Sequence, residues 1–181
     1  MSNIETARLM LRALRDDDAN RMSILLNNYE VSKNLAVVKF PYRLEDATHF
    51  INLQQTFDPR SKTYAICFCD SPNDMLGVIS YKFEAGESVP EFGYWLGQEY
   101  WGKRIMTEAA LAFVDHAFSF PEITKLESGY WNPISGRLLR NIGFEPTHQS
   151  TQFCVAQNSE VQITKMELTK SRWNSNQITQ D

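Results

Sequence analysis

The chain has 181 residues, 43% of them hydrophobic and 22% charged, with a formal net charge of −4. That length and balance suit one globular domain with its own core and exclude a disordered chain. The acidic total, with no block of Lys and Arg, argues against a general nucleic-acid binder.

The opening MSNIETARLMLR lacks a basic stretch followed by an apolar one, so no signal peptide is expected. No apolar run approaches the ~18 residues of a membrane span. Cys67, Cys69 and Cys154 are an odd set without metal-type spacing. The expectation is a reduced, cytoplasmic protein without a metal or a membrane partner.

In chain order, ARLMLRAL alternates Leu9, Leu11 and Ala13 against Arg8, Met10 and Arg12, which predicts a first strand with one wet face. In RDDDANRMSILLNNYE, Asp16 or Asp17 can cap a helix that turns Ala19, Met22, Leu25 and Leu26 to one side. An extended piece broken by Pro41 leads to a second helix from about Glu45, with Ala47, Phe50, Ile51 and Leu53 inward. TYAICFCD reads as a strand, SPND as a turn and MLGVISYKFEA as the returning strand. PEFGYWLG is a further strand ending at Gly97, and a helix follows over about residues 105–118. Then come the strand TKLESGYW and the short helix NPISGRLLRNIG, stopped by Gly143. Two strands near 144–156 and 160–168 close the fold, and the polar tail KSRWNSNQITQD is expected to fray. This order predicts one α+β domain over residues 1–169, a mixed and mostly antiparallel sheet flanked by helices, with a tail over 170–181.

The stretch LGQEYWGKRIMTEA carries the first chemical signal. A strand ends at Leu96 and Gly97, a short loop follows, and a helix opens near Ile105. The first N–H groups of a helix lack partners inside it, and with the helix dipole they form an anion site. Gly102 permits a close turn, Thr107 offers a hydroxyl, and Lys103 and Arg104 bring positive charge. Neither the G-x-G-x-x-G nor the G-x-x-x-x-G-K-[ST] pattern is present, and taken alone the loop can equally be a turn that binds nothing.

Four segments together carry a family resemblance: IETARLMLRALRDDDA, the Pro-Tyr and Glu-Asp-Ala of FPYRLEDATHFI, EFGYWLGQEYWGKRIMTEAA, and NPISGRLLRNIGF. In this order the chain resembles the GNAT-fold acyl-CoA N-acetyltransferases, in the RimJ/RimL-like branch that acetylates ribosomal-protein N-termini. The resemblance implies the GNAT fold and a loop, Trp101, Gly102, Lys103, Arg104, Ile105, Met106 and Thr107, that holds the pyrophosphate of acetyl-CoA. The family usually reads W-G-x-G here, and this chain has Arg104 at the second glycine. If φ there is positive, Arg carries a steric cost that a guanidinium–phosphate pair can offset. Splayed strands would admit the pantetheine arm, with Tyr94, Trp95 and Leu96 giving it backbone partners and one N–H polarising the thioester carbonyl. Asn132 matches a side chain that bonds to the pantetheine, and it also suits a helix cap.

For catalysis, many relatives place a Tyr seven residues beyond that Asn; here the position is Leu139. Ser135 matches the branch's serine and is the candidate to orient or protonate the departing sulfur, against a purely local hydrogen bond. Glu91 is the candidate base, against a solvated strand-edge carboxylate. The resemblance thus implies direct transfer from acetyl-CoA to a primary amine, a protein N-terminus or a small molecule, by a monomer or homodimer. The acceptor cleft is expected near 34–46 and 157–160. The alternative is a non-catalytic acyl-CoA sensor on the same fold. Cys67 and Cys69 are read as core residues on one strand face, and His49, His116 and His148 have no visible partner. Core packing is the default for Trp95, Tyr100, Trp101 and Trp131.

Overall fold

The computed structural model describes residues 2–178. Its strands are β1 (Ile4–Glu5), β2 (Leu9–Ala13), β3 (Lys62–Phe68), β4 (Ser71–Lys82), β5 (Glu91–Leu96), β6 (Lys125–Tyr130), β7 (Glu145–Cys154) and β8 (Ser159–Thr169). Its helices are α1 (Asp18–Leu26), α2 (Tyr29–Ser32), α3 (Leu44–Leu53), α4 (Ile105–Ser119), α5 (Pro133–Ile142) and α6 (Lys170–Ile178). The strands form one sheet in the order β1-β2-β3-β4-β5-β6-β8-β7. Every neighbouring pair is antiparallel except β5 and β6. This is the α+β architecture expected from the sequence, a mixed and mostly antiparallel sheet flanked by helices.

The two faces of the sheet carry separate cores. On one, Phe113, Val114 and Ala117 of α4 pack with Leu9, Leu11, Tyr64 and Phe92. On the other, Ala19, Met22, Leu25 and Leu26 of α1 and Ala47 and Ile51 of α3 cover Ala65, Cys67 and Val78. These are the helical faces the apolar spacing predicts. Gly143, at φ 110, takes the left-handed conformation that stops α5.

Several local expectations fail for physical reasons. Arg12 does not face water: it is buried and donates two hydrogen bonds to the Asp18 carboxylate at 2.8 and 2.7 Å. A third, from Nε at 2.7 Å, goes to the Pro72 carbonyl. A charge on an inward position is tolerated because a buried partner meets it. Neither Asp16 nor Asp17 caps α1; Asp17 makes no side-chain cap bond, and the Arg15 N–H donates to Asp18 instead. Ser71 to Asp74 is not the hairpin turn. The reversal lies at Cys69 and Asp70, and β4 already starts at Ser71. The register slips between Cys67↔Met75 and Phe68↔Ser71, so Pro72, Asn73 and Asp74 bulge out of the ladder. With β3 ending at Phe68, Cys67 is buried but Cys69 is exposed. The polar tail does not simply fray: α6 occupies most of it and docks buried Trp173 6.4 Å from Phe118. Residues 179–181 of that expected tail lie outside the described residues.

Candidate active site

The site starts from a mismatch in strand pairing. β5 pairs with β4 along its whole length, from Gly77↔Leu96 to Lys82↔Glu91. On its other side β5 meets β6 only at Glu91↔Glu127. The Ser128 hydroxyl donates to the Phe92 carbonyl at 2.9 Å, at the point where the strands part. Beyond it the two parallel strands splay and leave a gap.

Alternation along β5 decides which backbone groups face that gap. The Gly97 N–H donates to Leu76 of β4, which turns the Trp95 N–H to the same side. The Tyr94 and Leu96 N–H groups therefore point toward the gap. The backbone of Trp95 does not, although its side chain lines the cavity.

The gap opens into a cavity of about 550 Å³. Among its lining residues are Tyr94, Trp95, Leu96, Trp101, Gly102, Arg104, Ile105, Met106, Thr107, Asn132 and Ser135. Every residue expected to bind a cofactor thus meets there except Lys103, which lies in the loop with its ammonium 5.8 Å from the Tyr100 ring centre.

The loop has the anion-site geometry. Gly102 has φ 73, and Arg104 has φ 58 and ψ 14 in the left-handed region. The conditional about Arg104 resolves to the strained case: a residue with a Cβ holds a conformation that favours glycine. Arg104 stands at the N-cap of α4 and makes no side-chain cap bond. The leading N–H groups of this 15-residue helix are left uncapped by any side chain and face the cavity. Among the described residues, the Arg104 and Arg137 guanidinium groups at the cavity have no ion pair.

Across the cleft, α5 presents Asn132 and Ser135. The Asn132 Oδ1 accepts from the Ile134 N–H at 2.9 Å, which is the cap expected of it. Its Nδ2 donates to Asn34 Oδ1 at 3.0 Å. The Ser135 carbonyl accepts from the Tyr94 hydroxyl at 3.3 Å. Burial pushes the Tyr94 phenol up to about 12.

Sequence reasoning treated Tyr94 only as backbone. Its ring direction follows from strand alternation with Phe92, whose ring lies 5.4 Å away. Asn34 and Leu35, from the segment expected to form the acceptor cleft, also line the cavity, together with Val31, which lies outside that segment. The Lys33 carbonyl there accepts from Trp131 Nε1 at 3.2 Å and Gln157 Nε2 at 2.7 Å. Val155 N–H donates to Ala36 at 2.9 Å. The segments expected near the acceptor, around 34 and 157, are thereby brought together.

Glu91 is the expected site residue that stands apart. It does not line the cavity; the nearest β5 residue that does is Tyr94, roughly 10 Å along the strand by the rise of an extended chain. It is half exposed and pairs with Lys165 at 3.4 Å. Among the described residues no three His, Cys, Asp or Glu side chains gather as a metal site requires. Nor is any helix there long and apolar enough to cross a membrane.

Comparison with known proteins bears on the family. The model of the acetyltransferase (GNAT) domain matches residues 8–145. The chain is 24% identical over 150 residues to p20 of Bacillus licheniformis, described as an uncharacterized N-acetyltransferase, covering 80% of this chain and 83% of that protein. Among solved structures, RimL, a ribosomal L7/L12 alpha-N-protein acetyltransferase in complex with coenzyme A, superposes with a TM-score of 0.78 at 20% identity, covering 93% of this chain and 98% of that one. Spermidine N-acetyltransferase from Vibrio cholerae, in complex with CoA and spermine, also gives 0.78 at 17% identity, covering 93% and 99%. At such identities these two structures share the fold, and their different acceptors are their own. The match across most of the length decides the family: the chain belongs to the GNAT acetyltransferases and is an N-acetyltransferase that uses acetyl-CoA.

Proposed function

We propose that this protein transfers the acetyl group directly from acetyl-CoA to a protein N-terminal α-amine within a ternary complex. The observation that carries the cofactor half is the meeting, in one cavity, of an uncapped helix N-terminus and the unpaired edge of β5. The pyrophosphate sits on the N–H groups of the loop from 101 to 107, with Arg104 paired to a phosphate oxygen. The pantetheine arm takes the gap between β5 and β6 and bonds to β5 and to Asn132. The Tyr94 or Leu96 N–H, aimed at the gap, holds the thioester carbonyl oxygen as it gains charge.

The neutral amine attacks the carbonyl carbon and the C–N bond forms. The C–S bond breaks as the Ser135 hydroxyl donates a hydrogen bond to the departing sulfur. The amine proton leaves to water, and the thiolate regains a proton from the same pool. Leu139 offers no acid, and Glu91 does not line the cavity, so positioning supplies most of the rate.

The acceptor reading rests on charge. Among the described residues no carboxylate or histidine lines the cavity to serve as a base beside the thioester. An α-amine has a pKa near ~7.7–8 and is substantially neutral without a strong base, whereas a lysine-type amine near ~10.4 is almost wholly charged. The test is an acetylation panel of N-terminal peptides against polyamines and lysine side chains at one acetyl-CoA concentration. Turnover confined to peptides with free α-amines supports the proposal; turnover only with polyamines overturns the acceptor assignment.

A further inference from the structure

Of the four segments that carry the family pattern, IETARLMLR has so far no part in the site. The structure gives it one. Thr6 Oγ1 donates to Glu108 Oε1 at 2.6 Å, and the Arg8 N–H donates to the same oxygen at 3.0 Å. Arg8 Nε donates to Glu108 Oε2 at 2.7 Å, and its Nη2 donates to the Lys103 carbonyl at 3.3 Å. The Glu108 N–H in turn donates to the Arg104 carbonyl at 3.1 Å. Burial opposes ionisation of Glu108, but the bonds from Thr6 and Arg8 outweigh it and hold its carboxyl below the usual range. Glu108 is therefore a fixed negative charge in the first turn of α4.

That charge lies at the end of the helix that faces the cavity. Unneutralised, it would oppose any phosphate placed on the loop. Arg8 neutralises it. The same guanidinium donates to the carbonyl of Lys103, which stands between two left-handed residues, Gly102 and Arg104. Arg104 keeps its unfavourable backbone because the contacts on either side of it determine its position.

We propose that Arg8 is a positioning residue for the phosphate loop, setting its affinity for acetyl-CoA by neutralising Glu108 and holding the Lys103 carbonyl. The inference rests on the reading of the cavity as the acetyl-CoA site. It predicts that the turn between β1 and β2 controls cofactor affinity without contacting the cofactor.

The test is calorimetric titration of acetyl-CoA into the parent, Arg8→Ala, Arg8→Lys and the double variant Arg8→Ala with Glu108→Gln. Arg15→Ala serves as the control for loss of a distant charge, since Arg15 bonds to Asn73 on the β4 bulge. Arg8→Ala is expected to raise Kd about tenfold. Arg8→Lys, which keeps the charge but not the fork, should fall between it and the parent. The double variant should recover most of the loss, because Gln still accepts from Thr6 and the Arg8 amide. Arg15→Ala should leave Kd unchanged. Thermal unfolding of each protein shows which variants fold; if Arg8→Ala does not, Arg8→Lys must still weaken binding. A parent-like Kd in the Arg8 variants overturns the inference, as does equal loss in Arg15→Ala or no recovery in the double variant. A parent that binds no acetyl-CoA overturns the functional reading and this inference with it.

Discussion

The side-chain amide of Asn132 joins the two walls of the cleft, donating from Nδ2 to Asn34 Oδ1 at 3.0 Å while its own Oδ1 caps α5 through the Ile134 N–H. One residue thus caps the start of α5 and reaches the loop after α2. The two duties separate by mutation. Asn132→Asp keeps the cap oxygen, so its stability should match the parent. It loses the donor and places a carboxylate beside a polyanionic ligand, so acetyl-CoA affinity should fall at least tenfold. Asn132→Ala should lose both, with about 1 kcal/mol of stability gone along with the affinity. Paired thermal unfolding and calorimetry check this; an Asp variant that binds normally would remove Asn132 from the site.

Arg104 gives a second prediction because its backbone is left-handed. Arg104→Gly should raise stability by roughly 0.5–1 kcal/mol, since glycine adopts that conformation without a Cβ clash but loses more freedom on folding. The same change removes the guanidinium and should weaken acetyl-CoA binding. Arg104→Ala keeps the strain and loses the charge, so it should weaken binding with no gain in stability. Denaturant titration separates the two effects.

Alkaline stability should report the buried phenols. Burial, with Asp46 adding to it, pushes Tyr42 up to about 12, and burial does the same at Tyr94. In the unfolded chain these phenols ionise near ~10. The folded state holds their protons more tightly, so this contribution is complete below about pH 10 and is lost as pH rises toward about 12. Unfolding free energy measured across that window should fall steeply, and Tyr94→Phe should blunt the fall. A flat profile through it would contradict the burial of both rings.

Much of the fold was legible because its signals are local. The faces of α1 and α3, the stop at Gly143 and the strand–loop–helix from Leu96 to Ile105 all follow from spacing and residue type. What escaped was set by distant partners. Nothing near Arg12 in the strand says that it turns inward, because that depends on Asp18 folding back beside it. Two-residue β1 and four-residue α2 are too short to show a period. Trp173 in a polar tail becomes a core residue only because Phe118 is there to receive it. In the site, the turn at Gly102 and the start of α4 were readable locally, while a phosphate role for that loop came only with the family resemblance. The Tyr94 hydroxyl, the Asn132–Asn34 bond and the Arg8 link were not readable, since each joins residues that sequence separates widely.

The buried Arg12–Asp18 pair supports a stability prediction. Both side chains are 3% exposed. Arg12→Ala leaves a buried carboxylate without its partner and should cost about 3–5 kcal/mol. Chemical denaturation should show this with little change in acetyl-CoA affinity for the molecules that remain folded, because the pair lies away from the cavity lining.

Glu91 tests the view that positioning matters more than a strong base. It pairs with Lys165 outside the cavity. Glu91→Gln should therefore change turnover with an α-amine peptide by about twofold or less, well under the ~10²-fold expected of a lost general base. Steady-state kinetics decides it, and loss of turnover with acetyl-CoA binding intact would restore Glu91 as the base.

The most direct test of the central claim is an experimental structure of the protein with acetyl-CoA. The account predicts the pantetheine arm between β5 and β6, bonded to the Tyr94 or Leu96 N–H, with the pyrophosphate on the loop from 102 to 107 and Arg104 against a phosphate. Acetyl-CoA bound elsewhere, or an unchanged gap at saturating cofactor, would contradict it.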